Sequence, residues 1–309
     1  DSAPVHSSYG LVLHDLRRFG DALFHYERSI ALDPGFGVAY YNAGITLERL
    51  GRLDSALSFY NNAISLEAHH CNFWNNRGNV LKALDRVEES LNSYARAIVL
   101  KPDYSAAYNN RGVSLKDLHR YEEALLSCDR AIELDMTYAA AYNNRGVALQ
   151  NLNRSEEALV DFDRAASLDQ NFSMAYYNRA ASLEKLNNTE AALASYALAI
   201  SIMPDYRDAY LNRANILKSQ MRIEEALLCY DKAISLSPQS ADVHNSRAVA
   251  LHEAGRHRDA IESFFRAICL KPDLAFAYCN VGVTFKTLRN FDKAVDFYNK
   301  AICLQPDYA

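Results

Sequence analysis

This sequence is short of most things that announce chemistry. It has no P-loop, no GxGxxG and no GxSxG, so phosphate cradles, dinucleotide folds and nucleophile elbows are not indicated. No apolar run approaches the roughly 18 residues that a membrane span needs, which excludes membrane insertion as a reading. Positive charge is scarce too: 33 Lys and Arg stand against 38 Asp and Glu, a net charge of −5. No basic stripe tracks a phosphate backbone, and nucleic acid is not expected as a partner. The six cysteines, Cys71, Cys128, Cys229, Cys269, Cys279 and Cys303, show no CxxC spacing. Unpaired thiols of this kind suit a reducing compartment, and a cytoplasmic location is expected. No charged-then-apolar leader opens the sequence, so the sequons at Asn153, Asn171 and Asn187 are read as chance.

What is present is one unit, many times over. Residues 105–138, SAAYNNRGVSLKDLHRYEEALLSCDRAIELDMTY, return 34 residues later as AAAYNNRGVALQNLNRSEEALVDFDRAASLDQNF. Nine units, 3–36, 37–70, 71–104, 105–138, 139–172, 173–206, 207–240, 241–274 and 275–308, account for nearly the whole chain. Such a period predicts one elongated body in which each unit touches its neighbours, rather than two globular domains. Half of the residues are apolar, enough for a continuous core.

Each unit reads as two short helices. Tyr108, Arg111, Gly112, Leu115 and Leu118 fall at helical spacing, and Tyr121, Ala124, Leu125, Cys128, Ala131, Ile132 and Leu134 do so again. Asp117 to Arg120 is a tight turn between them. Pro34, Pro102, Pro204, Pro238, Pro272 and Pro306 stand where a second helix stops. The eighth place of the unit is always small: Gly10, Gly44, Gly78, Gly112, Gly146, Ala180, Ala214, Ala248 and Gly282. With Ala124 and Ala131, it marks where helices approach most closely, while Tyr94, Tyr108, Leu115 and Phe162 fill the space between. Glu pairs at 88–89, 122–123, 156–157 and 224–225 open second helices, where the helix dipole favours carboxylates.

Tyr40, Gly44, Leu47, Ala56, Tyr60 and Ala63, and likewise Tyr210, Ala214, Leu217, Ala226, Tyr230, Ala233 and Pro238, resemble the tetratricopeptide repeat. The resemblance implies an all-α solenoid, a right-handed superhelix of helix-turn-helix hairpins with a concave groove lined by first helices. It also implies that the second, fifth, sixth, ninth and thirteenth places face that groove. One departure is consistent: the seventh place is Arg77, Arg111, Arg145, Arg179, Arg213 and Arg247.

Function is then expected in a row of asparagines. The sixth place holds Asn42, Asn76, Asn110, Asn144, Asn178, Asn212 and Asn280, and the fifth adds Asn75, Asn109, Asn143 and Asn245. A carboxamide offers two donors and an acceptor, so such a row can hold an extended peptide backbone with little regard to its sequence. The bland alternative is that these asparagines are solvated filler. The row is similar to the asparagine ladder in the repeat domain of O-linked N-acetylglucosamine transferases. The Lys and Arg clamp of repeats that bind chaperone tails is absent, since Asn75, Asn79, Asn110, Ala140 and Asn144 hold those places. The arginine row could recognise acidic side chains. Its place beside the core favours a structural role, with the stem packed and the head on a carboxylate such as Asp129 or Asp163.

The reading is therefore a protein-interaction scaffold or adaptor that binds an extended segment of a protein partner in its groove, with no catalytic residues, no cofactor and no metal. His69-His70-Cys71 interrupts a junction that elsewhere carries Pro-Asp-Tyr, and no third or fourth metal ligand is evident nearby. Two alternatives stay open: the substrate-recognition part of a larger enzyme, such as a glycosyltransferase, and a self-associating scaffold. The first unit is degenerate, with His6, Ser7, Ser8 and Ser29 where its sisters carry Tyr, Asn, Asn and Ala. The sequence stops at Asp307-Tyr308-Ala309, the opening of a tenth unit without a polar closing helix. A longer protein, or a homo-oligomer through that uncapped end, is expected.

Overall fold

The computed structural model describes residues 2–306, so the Asp307–Ala309 end lies outside the described residues. All of its regular structure is helical. First helices of 13 residues and second helices of 14 alternate, separated by connectors of three and four residues, which closes the 34-residue period.

Two compact units are present. The first, Asp1–Asp169, contains α1 (Ala3–Asp15), α2 (Phe19–Leu32), α3 (Gly37–Arg49), α4 (Leu53–Leu66), α5 (Cys71–Ala83), α6 (Val87–Leu100), α7 (Ser105–Asp117), α8 (Tyr121–Leu134), α9 (Ala139–Asn151) and α10 (Ser155–Leu168). The second, Gln170–Ala309, contains α11 (Ser173–Lys185), α12 (Thr189–Ile202), α13 (Arg207–Ser219), α14 (Ile223–Leu236), α15 (Ala241–Glu253), α16 (His257–Leu270), α17 (Ala275–Thr287) and α18 (Phe291–Leu304). Within each unit the helices pair as hairpins, and each second helix packs on the first helix that follows. Successive first helices also touch (α1 with α3, α3 with α5, α5 with α7, α7 with α9), and no successive second helices pack comparably. The first-helix side of a stack is therefore its tighter, inner side.

The small eighth place is a steric requirement. A methyl group on Gly78 would stand 2.5 Å from Cε1 of Tyr94, and one on Gly44 would stand 2.7 Å from Cε1 of Tyr60. In five repeats the hairpin closes by laying the ring of the twenty-fourth place across a bare backbone, at Gly10, Gly44, Gly78, Gly146 and Gly282. In three others alanine holds the eighth place. In the fourth repeat that ring is replaced by Cys128, whose sulfur would lie 2.7 Å from a Cβ on Gly112. Burial pushes the Cys128 thiol up to about 12, so it packs as a small apolar group.

The turn inside each hairpin is the same in all nine repeats, although no single residue type is common to all of them. Arg17, Gly51, Asp85, His119, Asn153, Asn187, Met221, Gly255 and Arg289 all adopt positive φ. In the second repeat the N–H of Gly51 donates to the Glu48 carbonyl at 3.0 Å and that of Arg52 to Leu47 at 2.9 Å. This is a Schellman closure, which satisfies carbonyls the helix end leaves orphaned. A side chain in this conformation is strained by roughly 1–2 kcal/mol. Met221, at φ 60° and exposed, gains nothing visible in return. Met221→Gly is accordingly expected to raise the urea midpoint, by about 0.5–1 kcal/mol of stability once the added chain entropy of glycine is subtracted.

At the start of most second helices an arginine stands in the N-cap position and grips the acid three residues on. Arg86 Nε and Nη2 donate to both oxygens of Glu89 at 2.7 and 2.8 Å, and Arg120, Arg154 and Arg222 repeat the pattern with Glu123, Glu157 and Glu225. These bonds hold the second glutamate of each pair below the usual carboxylate range. Among the described residues no helix is long and apolar enough to cross a membrane.

Candidate peptide-binding face

Adjacent positions on an α-helix point about 100° apart, so the fifth and sixth places cannot share an environment. Asn75, Asn109, Asn143 and Asn245 are buried, whereas Asn42, Asn76, Asn110, Asn144, Asn178, Asn212 and Asn280 are half-buried. The two sets meet across repeats. Asn110 Nδ2 donates to Asn75 Oδ1 at 3.1 Å, Asn144 Nδ2 to Asn109 Oδ1 at 2.8 Å, and Asn280 Nδ2 to Asn245 Oδ1 at 3.3 Å. Where the fifth place is tyrosine, its hydroxyl takes the bond instead: Asn76 donates to Tyr41 at 3.1 Å and Asn212 to Tyr177 at 3.0 Å.

In the first unit the bonds join into a relay. Asn75 Nδ2 donates to Asn76 Oδ1 at 3.2 Å, and Asn109 Nδ2 to Asn110 Oδ1 at 3.4 Å. The sequence from donor to acceptor is then Asn144, Asn109, Asn110, Asn75, Asn76, Tyr41. Fifth-place carboxamides are the inner stitches, and sixth-place carboxamides are the stitches that reach the surface. Beside them lies a small cleft of about 300 Å³ lined by Asn79, Lys82, Tyr94, Asn110 and Val113. Asn79 Oδ1 accepts both from the buried Tyr94 hydroxyl, at 2.9 Å, and from Asn110, at 3.1 Å. The cleft thus has a polar floor that is fixed by the core.

The arginine row is bonded into the second helices. Arg77 Nη1 donates to Ser93 at 2.6 Å, Arg111 Nε to Ser127 at 2.8 Å and Arg247 Nη1 to Ser263 at 2.7 Å, each sixteen residues on. Some reach backward as well, Arg77 to Asn61 at 2.7 Å and Arg247 to Asp231 at 2.6 Å. Arg111 and Arg145 also lie over the rings of Tyr108 and Tyr142, at 5.4 and 5.6 Å. The guanidinium thus braces its own hairpin, and Arg77, Arg145 and Arg247 also tie theirs to the one before, a structural role in keeping with the row's place beside the core. Of the carboxylates named from sequence, Asp129 accepts from Arg145 at 2.8 Å; the buried Asp161 is a partner that sequence reasoning missed. Clefts also surround these arginines. One of about 600 Å³ around Arg247 and Arg256 includes Phe265 and Cys269.

Models of the repeat family described as "TPR repeat" match residues 78–118 and 214–255, and those described as "Tetratricopeptide repeat" match 25–58, 105–135, 139–172, 175–206 and 275–308. The chain is a tetratricopeptide repeat protein. Repeats of this family build protein-interaction scaffolds, a kind of fold that is typically non-catalytic. No protein of curated function matches the sequence. Among solved structures, a tetratricopeptide repeat protein from Parabacteroides merdae ATCC 43184 superposes with a TM-score of 0.65 at 19% identity, over 81% of this chain and 98% of that one. A chain of the APC/C hetero-tetramer Cut9–Hcn1 gives 0.64 at 14% identity, over 92% of this chain and 52% of that one. PilW, a widely conserved type IV pilus biogenesis factor, gives 0.60 at 17% identity, over 65% and 94%. At these identities the likeness concerns the fold of this tetratricopeptide repeat protein and no more.

Proposed function

We propose that this protein is an interaction scaffold which holds an extended segment of a partner protein against the first-helix face of its hairpins. The carboxamide relay carries the reading. Its sixth-place members, Asn76, Asn110 and Asn144, are half-buried and spaced one repeat apart. Asn76 and Asn144 each spend one Nδ2 hydrogen within the relay, which leaves a second donor beside a carbonyl, the pair that a peptide bond needs. Asn110 gives both hydrogens to Asn75 and Asn79 and orders the floor between them. Recognition through backbone groups asks for an extended segment and tolerates varied side chains. The cleft at Val113 and Asn79 supplies room for one side chain of the segment.

The test separates the face from the fold. Peptides selected on an array against the wild-type chain are titrated against Val113→Arg, which fills the cleft without removing a relay bond. They are also titrated against Asn76, Asn110 and Asn144 replaced together by Ala. Both variants are expected to bind at least about tenfold more weakly, with helical circular dichroism retained. Leu126→Lys, an exposed position on a second helix, should leave affinity unchanged. Undiminished binding by Val113→Arg sinks the reading.

Self-association is a second reading, and one observation favours it. Phe291, Val295 and Ile302 of the α17–α18 hairpin are 61%, 56% and 53% exposed. Their counterparts Val87, Leu227 and Ile132 are buried under a following hairpin. Light scattering over a concentration range checks it: a rising mass that Phe291→Lys with Val295→Lys abolishes supports a homo-oligomer, and a constant monomer mass removes it.

A further inference from the structure

We propose that the connector between α4 and α5 is a binding site for a single divalent transition-metal ion of the zinc type, held by Glu67, His69 and His70. From sequence, this junction offers two histidines and no visible third ligand. The fold supplies the third. Glu67 closes α4 and His70 opens α5, and the bend between them brings one ligand atom from each of the three residues within 4.8 Å of the others. His70 Nε2 already lies 2.8 Å from Glu67 Oε2. The connector turns at Ala68 and His69 and brings the rings of His69 and His70 to 4.1 Å.

The surroundings depart from the repeat in a way that serves the cluster. Gly37 is the one glycine among the residues that open first helices, where the other units carry Ala3, Cys71, Ser105, Ala139, Ser173, Arg207, Ala241 and Ala275. A methyl group on Gly37 would stand 2.7 Å from Glu67 Oε1 and 3.0 Å from its Cγ, so the bare backbone makes room for the carboxylate. Elsewhere the place of Glu67 is held by Asp33, Lys101, Asp135, Asp169, Met203, Ser237, Lys271 or Gln305, and that of His69 by Gly35, Asp103, Thr137, Asn171, Asp205, Gln239, Asp273 or Asp307. The imidazole of His70 is supported from beneath. It lies 4.7 Å from the ring of the buried Phe73, which in turn stacks on Tyr41 at 4.5 Å. Two ligands are thus held by packing, one against Gly37 and one against Phe73, and His69 closes over them from solvent.

Two neutral imidazoles and a carboxylate are a donor set that suits zinc and its neighbours and leaves the remaining position to water. Bound metal would tie the last residue of one hairpin to the first of the next, and stabilise the junction by linkage.

Zn²⁺ alone is titrated calorimetrically into the full chain, with thermal melts in parallel. The wild type is expected to take up one Zn²⁺ per chain and to melt higher in its presence. His69→Ala and Glu67→Gln should each weaken binding at least about tenfold and abolish the shift in melting. His69 is exposed and Glu67→Gln keeps the size of the side chain, so the metal-free melts should stay close to that of the wild type. Gly37→Ala should weaken binding as well, by displacing the carboxylate. His252→Ala, which alters the separate His252–His257 pair, should bind as the wild type does. Absence of saturable uptake by the wild type overturns the proposal, as does binding that His69→Ala and Glu67→Gln leave intact.

Discussion

Replacing Arg145 by methionine is expected to destabilise the first unit by about 3 kcal/mol, because it strands a carboxylate in the core. Asp161 is only 2% exposed. Arg145 grips it through Nε at 2.7 Å and Nη2 at 2.5 Å, and holds Asp129 through Nη1 at 2.8 Å. Burial pushes the Asp161 carboxyl above its ordinary range, and the guanidinium pulls it only part of the way back. Methionine keeps an unbranched apolar side chain and removes the guanidinium, with its place over Tyr142, so the loss reports the lost guanidinium contacts rather than an emptied volume. Sister repeats supply the control. Ser93, Ser127, Ser195 and Ser263 occupy the place of Asp161, each bonded to its own arginine. Asp161→Ser should therefore cost less than about 1 kcal/mol, and adding it to Arg145→Met should recover most of what that variant lost. Urea midpoints measure all three, and equal midpoints for Arg145→Met and Asp161→Ser would show that water reaches the carboxylate. Acid supplies a second check. A carboxyl whose folded pKa is raised binds protons more readily folded than unfolded, so lowering the pH through the interval between the two values favours the folded form. The deficit of Arg145→Met should shrink as pH falls toward the carboxylate range.

Tyr94→Ala is expected to cost more, about 4 kcal/mol. The ring is fully buried and lies across Gly78, where a methyl group would stand 2.5 Å from its Cε1. Alanine leaves a cavity that can shrink only if α5 and α6 move together, and both are held by neighbours on each side. Tyr94→Phe separates the ring from its hydroxyl. The hydroxyl donates to Asn79 Oδ1, which also accepts from Asn110. Losing one of two donors leaves the acceptor satisfied, and the cost should stay below about 1 kcal/mol. Because stacked repeats transmit stability only to neighbours, amide hydrogen exchange should quicken in α5, α6 and the adjoining helices first. Uniform loss of protection through the first unit would contradict that locality.

The period, the two helices of each repeat and the reason for a small eighth place are legible in the residues, since each rests on spacing and size alone. Gly112 shows how far that reaches: its close approach to the second helix is evident from sequence, although the group it meets is a sulfur rather than a ring. Three features are not legible in the same way. The left-handed turn residue leaves no common type behind, and only Gly51, Gly255, Asn153 and Asn187 hint at it together. The division of the asparagines into buried and surface sets depends on how far each first helix is rotated about its axis, and neighbouring Asn-Asn residues say nothing about rotation. Glu67 is close to His69 and His70 in sequence, yet its direction is set by a bend in the connector and by the missing side chain of Gly37.

The carboxamide relay of the first unit also has a direction. Every donor in it passes its hydrogen the same way, from Asn144 on α9 to Tyr41 on α3, so its amide dipoles align head to tail and polarise one another. A face built so is not the same when travelled backward. A segment held there as proposed would meet amides that all lean one way, and the two orientations of its own backbone would differ in energy. The relay would then add an electrostatic sense of N-to-C polarity to the proposed site.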